Sequence, residues 1–295
     1  MTNRIVVDTD SEIGYEKNGF IRKFINVFYI PLLNSIHGNT RNFIKKTNVS
    51  AKKVIENATS HQAIEVLYNY GEAQHSRTLS QRFFHHVWFS TNNPKAVRNR
   101  LRLVKRELKK SIKEHLAGGR NINILSIASG SARAVLDAVA DPFIKGTFVK
   151  VTFIDKNEAA NEYSKQLASH QNYPSNYDLR WVTDTARNFS KYFDEIDKPN
   201  IIEMVGLMDY FESSKVEDIF SAIYVNLAPG GIFISANICD NSERKFVTKV
   251  VGWEMIYREP EDFLNFAIKA GFREDDIMIF YEPLRIHFVM VVKKQ

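Results

Sequence analysis

Between Asn121 and Ala140 the chain reads NINILSIASGSARAVLDAVA, with five small residues in a row, Ala128-Ser129-Gly130-Ser131-Ala132, at its centre. Before them Ile122, Ile124, Leu125 and Ile127 form a short β-branched-rich run, and after them Ala134, Val135, Ala138 and Val139 recur at helical spacing. A chain that leaves a buried strand and turns at once into a helix brings its backbone close to whatever lies above the turn, which favours side chains of little bulk. The N–H groups at the start of that helix suit an anion or a set of polar ligand atoms. These features point to a nucleotide-type ligand. A dinucleotide fingerprint asks for glycine at three positions, G-x-G-x-x-G, and the third of them here is Arg133.

Two carboxylates follow at strand ends. Phe148–Ile154 reads as the next strand and Asp155 closes it, about 25 residues past the glycine turn, where a carboxylate can accept both hydrogens of a ribose diol. Asp155 as a helix N-cap is the structural alternative. Asp178–Val182 is a third strand running into Thr183-Asp184-Thr185, where the Asp184 carboxylate could reach an adenine amino group. No metal is expected. His85 and His86 are adjacent, so on a helix they point about a hundred degrees apart, and no second pair stands at ligand spacing. Cys239 has no nearby histidine to make it a nucleophile.

The elements that position these residues alternate as a parallel sheet requires. Asn157–Leu167 is the helix after Asp155, and Ile201–Val205 is a fourth strand that runs directly into Gly206-Leu207-Met208-Asp209-Tyr210-Phe211. Lys215–Leu227 is helical, Pro229-Gly230-Gly231 stops it, and Ile232–Ala236 is the fifth strand. The chain closes with 275–281 and Arg285–Val292 joined by Glu282-Pro283-Leu284, two strands that can pair antiparallel. Residues 1–117 read as helical throughout, with Gly118-Gly119 marking a boundary, so two units are expected: 1–117, and 118–295 carrying the ligand site.

In the first unit Gly19–His37 is strongly apolar, but Arg22, Lys23, Asn26 and Pro31 interrupt it, so it is not expected to span a membrane. A buried helix pair kinked at Pro31 is the leading expectation; a helix lying on a membrane surface and a wall for an acyl chain are the alternatives. Ser50–Tyr70 and Ser76–Ser90 read as two more helices, with Thr59/Ser60 and Thr78/Ser80 as caps, and a helix starting at Asn93-Pro94 runs to about Leu116. The 295 residues, 44% of them apolar, suffice for a substantial core. The formal charge of +6 hides an asymmetry, because residues 1–120 hold 21 Lys+Arg against 9 Asp+Glu and the remainder 19 against 25. That basic half could serve RNA, an acidic lipid surface or an anionic small substrate, or could be a solvated face with no partner. A single cysteine and a start, MTNRIVVDTD, without a basic-then-apolar pattern favour a cytoplasmic setting.

The small-x-Gly-x-small turn, the Leu227-Ala228-Pro229-Gly230-Gly231 stop and the antiparallel ending together resemble the class I S-adenosylmethionine (SAM) methyltransferases, an α/β Rossmann-like fold, over the last 175 residues or so. Ala128 and Ala132 stand where that family usually has glycine. Three stretches, IASGSAR, GLMDYF and GWEMIYREPEDFLNFAIKAGF, and the segment from Asn93-Pro94 through Arg98 and Arg100 are further similar to bacterial methyltransferases of 3-hydroxypalmitic acid methyl ester biosynthesis. The resemblance implies SAM along the strand ends, at Ala128, Ser129, Gly130, Ser131, Asp155, Lys156, Asp184, Thr185, Gly206 and Leu207, and methyl transfer to an oxygen of a small molecule. An ionised carboxylate acceptor needs no base, whereas a hydroxyl needs one near the fourth strand, for which Asp209 is the candidate. Tyr210, Trp253, Tyr257 and Arg258 are expected around the acceptor, with Arg98 and Arg100 flanking the crevice and Arg258 able to fork onto a carboxylate. A nucleic-acid methyltransferase is the second class, although an Asn/Asp-Pro-Pro-aromatic motif does not follow strand four, and a SAM-binding protein without catalysis is the third.

Overall fold

The computed structural model of the protein describes residues 4–35, 41–69, 82, 86, 88–144 and 146–295. Its centre is one eight-stranded sheet in the order β1-β7-β8-β6-β5-β2-β3-β4. The strands are β1 (Ile5–Val7), β2 (Ile122–Ile127), β3 (Val149–Asp155), β4 (Tyr177–Thr183), β5 (Ile201–Val205), β6 (Ile232–Ile238), β7 (Ile277–Tyr281) and β8 (His287–Lys293). All neighbours pair parallel except β8, which lies antiparallel between β6 and β7. The α/β Rossmann-like fold with an antiparallel last strand is therefore the one expected. β2, β5 and β6 sit at the middle of the sheet and are nearly or wholly buried, which is why they are predominantly apolar rather than alternating.

Helices cover both faces. The described helices of eight residues or more are α1 (Phe20–Ser35), α3 (Val49–Glu56), α4 (His61–Tyr68), α5 (Asn92–Ala117), α7 (Glu158–Ser169), α8 (Ser213–Asn226) and α9 (Pro260–Ala270); α2 (Arg41–Thr47) and α6 (Arg133–Val139) are shorter. On one face Phe220 of α8 meets Phe233 of β6 and Phe263 of α9 edge-on at 5.3 and 5.4 Å. Each fully buried ring of this kind is worth about 1.5–3 kcal/mol of transfer free energy. On the other face Leu103, Val104, Leu108 and Ile112 of α5 pack with Val135 and Leu136 of α6 over β2 and β3. A capping box at Glu259 and Asp262, with Pro260 in the first turn, starts α9, and Gly271 at φ 110° ends it.

Three features differ from the sequence reading. The region before residue 118 is not helical at its start: Ile5, Val6 and Val7 of β1 add a strand to the sheet edge beside β7, and residues 8–19 form no helix. Ser50–Tyr70 is two helices, because Thr59 takes a left-handed φ of 71° between α3 and α4. Gly19–His37 is not a buried kinked pair: α1 runs through Pro31 as one helix, with Phe20, Phe24, Val27, Phe28 and Leu32 exposed. No helix among the described residues is long and apolar enough to cross a membrane. Most of Ser76–Ser90, including Thr78, Ser80 and His85, lies outside the described residues.

Candidate functional site

The turn after β2 is shaped by its backbone. Ala128, Gly130 and Ala132 all hold left-handed φ values, 54°, 54° and 53°, so the chain reverses in three tight steps before α6 begins. Only glycine adopts this conformation without cost; each alanine is strained by roughly 1 kcal/mol or more. Asp155 at the end of β3 fixes the turn from beside it, one carboxylate oxygen accepting the Gly130 N–H at 2.8 Å and the other the Asn157 N–H at 2.8 Å. The carboxylate is half-exposed and keeps lone pairs facing the cleft.

A cavity of about 1190 Å³ opens over this turn. Ala128, Ser129, Gly130, Ser131, Asp155, Lys156, Thr185, Gly206 and Leu207 are among the residues that line it. Asp184 does not line it: its carboxylate accepts from the Thr185 N–H and the Asn188 amide at 2.6 and 2.8 Å and from the Tyr192 hydroxyl, so it ties the following turn together. Two buried polar atoms at the cleft, Ser129 Oγ and His61 Nδ1, have no protein partner, which is what a polar ligand lying over the turn would supply.

The roof of the cleft comes from the N-terminal region, through two residues that sequence reasoning did not single out, His61 and Glu65. His61 of α4 lies over Gly130, where an added Cβ would stand 3.7 Å from His61 Cβ. Glu65, one turn on and 6% exposed, pins α4 there: it accepts from Arg133 Nε at 3.2 Å and Nη2 at 2.5 Å and from the Tyr163 hydroxyl at 2.9 Å. These donors hold the Glu65 carboxyl below its usual range against the opposing effect of burial. Replacing Glu65 with alanine is expected to lower stability by about 1–3 kcal/mol and to speed ligand release from the cleft, because a charge-assisted network is lost. Stopped-flow release and thermal melting would check it.

The other end of the cavity is apolar with a charged floor. Val54, Leu67, Trp88, Val97, Phe246 and Val251 form its walls. Tyr210 and Trp253 close it on one side, joined by a Trp253 Nε1 to Tyr210 hydroxyl bond of 2.7 Å. On the floor lie Arg100 of α5, Glu203 of β5, Asp209 and His287 of β8, each less than a tenth exposed. Arg100 Nη1 is 4.0 Å from Asp209 Oδ2, and its Nε has no partner. A Cβ at Gly206 would stand 3.8 Å from Arg100 Nη2, so the guanidinium lies against the end of β5. Asp209 also accepts the Ile238 N–H at 2.8 Å, and burial raises its pKa. Burial and the Arg100 charge push His287 well below the usual histidine range, so its ring is neutral.

Glu203 is the titrating group of the floor. Burial raises its carboxyl to about 7, against the Ser126 hydroxyl that donates to it at 2.6 Å and the charge of Arg100. Its folded pKa lies above the ordinary 4.5, so the folded state binds the extra proton. This group's contribution to stability is full below about pH 4.5 and falls by roughly 1.4 kcal/mol per unit until pH 7. Glu203→Gln is expected to remove that slope in melting curves taken between pH 5 and 7.5.

Three expected acceptor residues are placed elsewhere. Arg98 does not reach the cavity, because its guanidinium pairs with Glu16 at 2.6 Å and donates to the Leu67 and Phe89 carbonyls. Arg258 does not line the cavity, and it donates to the Met208 carbonyl at 2.8 Å, the Phe211 carbonyl and the Asn237 side chain, its Nε being left without a partner. Tyr257 does not line the cavity either and lies under the Arg244 guanidinium, 4.3 Å from its ring centre. No group of three or more metal-ligating side chains occurs among the described residues.

A solved structure of a possible exported protein from Bordetella parapertussis shares this fold, with a TM-score of 0.64 and 14% identity over 81% of this chain and 80% of that one. Magnesium protoporphyrin IX methyltransferase from Synechocystis PCC 6803 with bound SAM aligns at a TM-score of 0.49 and 9% identity, over 70% and 85%. No curated protein matches. Residues 49–274 match a family model described as "Putative methyltransferase", a span that takes in α4, the turn after β2, Arg100 and all the cavity-lining residues named above except His287. The chain belongs to that methyltransferase family.

Proposed function

We propose that the protein transfers the methyl group of SAM to a carboxylate oxygen of a small acid with an apolar body. The observation that carries this reading is Arg100, a buried guanidinium with an unpartnered Nε at the floor of an apolar chamber continuous with the cofactor cleft. Arginine presents its donors as a planar fork that fits a carboxylate. When bound, SAM supplies a methyl already activated on a sulfonium, so the protein's work is to orient the acceptor and exclude water. Asp155 and the Ala128–Ala132 turn hold the cofactor end, Arg100 holds the acid, and Tyr210 and Trp253 wall the chamber. A carboxylate oxygen takes the methyl as the carbon–sulfur bond breaks, and no proton moves. Asp209, engaged with the Ile238 N–H and facing Arg100, is a positioning residue in this scheme rather than a base.

The motif similarity to 3-hydroxypalmitic acid methyl ester biosynthesis supports an acceptor with an acyl chain. Internal pairing takes four basic residues of α5 out of any RNA surface: Lys105, Arg106 and Lys109 are each matched by an aspartate, and Arg98 by Glu16. Transfer of labelled methyl from SAM to a pool of fatty, hydroxy and aromatic acids, beside a pool of bulk RNA, tests the proposal. Label in the acids is the expected result; label only in RNA overturns it.

A further inference from the structure

Helix α1 has two unlike faces. Inward, Tyr29 packs on the cluster around Trp88 and Phe246, and Asn34 donates to the Ser242 carbonyl at 2.7 Å and accepts the Phe246 N–H at 3.2 Å. Outward, Phe20, Phe24, Val27, Phe28 and Leu32 are each 64–86% exposed. At a hundred degrees per residue these five fall within an arc of about 140°, and Tyr29 lies some 60° beyond its edge. An apolar stripe of this length on a surface helix marks a contact surface.

Its occupant follows from charge. Residues 17–55, which contain α1 and reach through α2 into α3, hold eight Lys or Arg and no Asp or Glu. Lys17, Lys46, Lys52 and Lys53 of this stretch are exposed. Lys45 pairs with Glu56 just beyond the stretch; large aromatic and aliphatic side chains on one face, beside the remaining cations, are the composition of a helix that lies in the interface of an anionic bilayer. The same helix holds Phe246, whose ring lines the apolar chamber, so the surface and the chamber are joined through Asn34.

We propose that α1 docks the protein on anionic lipid bilayers, its Phe20–Leu32 stripe entering the headgroup boundary, and so places the chamber beside a membrane that holds apolar acids. Docking itself does not depend on the identity of the methyl acceptor. Co-sedimentation of the full chain with vesicles tests it, using an equal mixture of phosphatidylglycerol and phosphatidylcholine beside phosphatidylcholine alone. The chain is expected to pellet with the anionic vesicles, less so as salt is raised, and F24E/F28E is expected to weaken this by about tenfold or more with an unchanged melting temperature. A chain that stays in the supernatant with both vesicles overturns the proposal, as does binding that F24E/F28E leaves intact. A concentration-dependent dimer that F24E/F28E dissolves, without vesicle binding, overturns it too and gives the stripe to a second copy.

Discussion

Arg100→Met is expected to cut kcat/KM for acid acceptors by about a hundredfold or more, mostly through KM, while SAM affinity stays within about twofold. The loss is that of a buried charge-assisted contact, about 3 kcal/mol. Arg100→Lys keeps the charge but not the fork, so it should fall between the two. Removing the guanidinium also leaves Asp209 buried at 2% exposure without its counter-charge, which is expected to lower stability by several kcal/mol. The double variant Arg100→Met with Asp209→Asn separates the effects. It should regain most of the stability and none of the turnover on acids. Unchanged KM in a well-folded Arg100→Met protein would remove the carboxylate reading.

A second large effect is expected at the cofactor end. Asp155→Ala should weaken SAM binding by about a hundredfold in calorimetry, since it removes a ribose acceptor and also frees the Gly130 and Asn157 N–H groups that hold the turn. Asp155→Asn keeps one carbonyl oxygen for the Gly130 N–H and should lose less. Equal affinity in both variants and the natural chain would show that the ribose lies elsewhere.

Much of this architecture is legible because the sheet is parallel. Its strands are short apolar runs punctuated by Gly130, Asp155, Gly206 and Pro229-Gly230, and each of those punctuations falls at a strand or helix end. Residues whose partners come from far along the chain were not legible. Arg258 looked free because the carbonyls it binds belong to Met208 and Phe211, some fifty residues earlier and folded beneath it. Arg98 and Arg100 are indistinguishable by spacing, yet one meets Glu16 and the other faces the chamber. Glu203 did leave a signal: a lone carboxylate within IIEMV, in a strand buried on both faces, has to be either neutral or paired. His61 and Glu65 left none, because a polar pair one turn apart on a surface helix is ordinary.

The edge strand β1 has a consequence for how the chain is made. Arg4 and Glu274, which pair across that edge, are 270 residues apart in sequence, and Ile5 lies beside Ile279. Contacts so distant carry the highest loop-closure cost and form late. On a ribosome adding about 5–20 residues per second, the first strand waits tens of seconds for its neighbour. Until then the basic, apolar stretch containing α1 is tethered at only one end. The nascent protein therefore shows its stickiest surface longest, at the stage when chaperones and membranes compete for it.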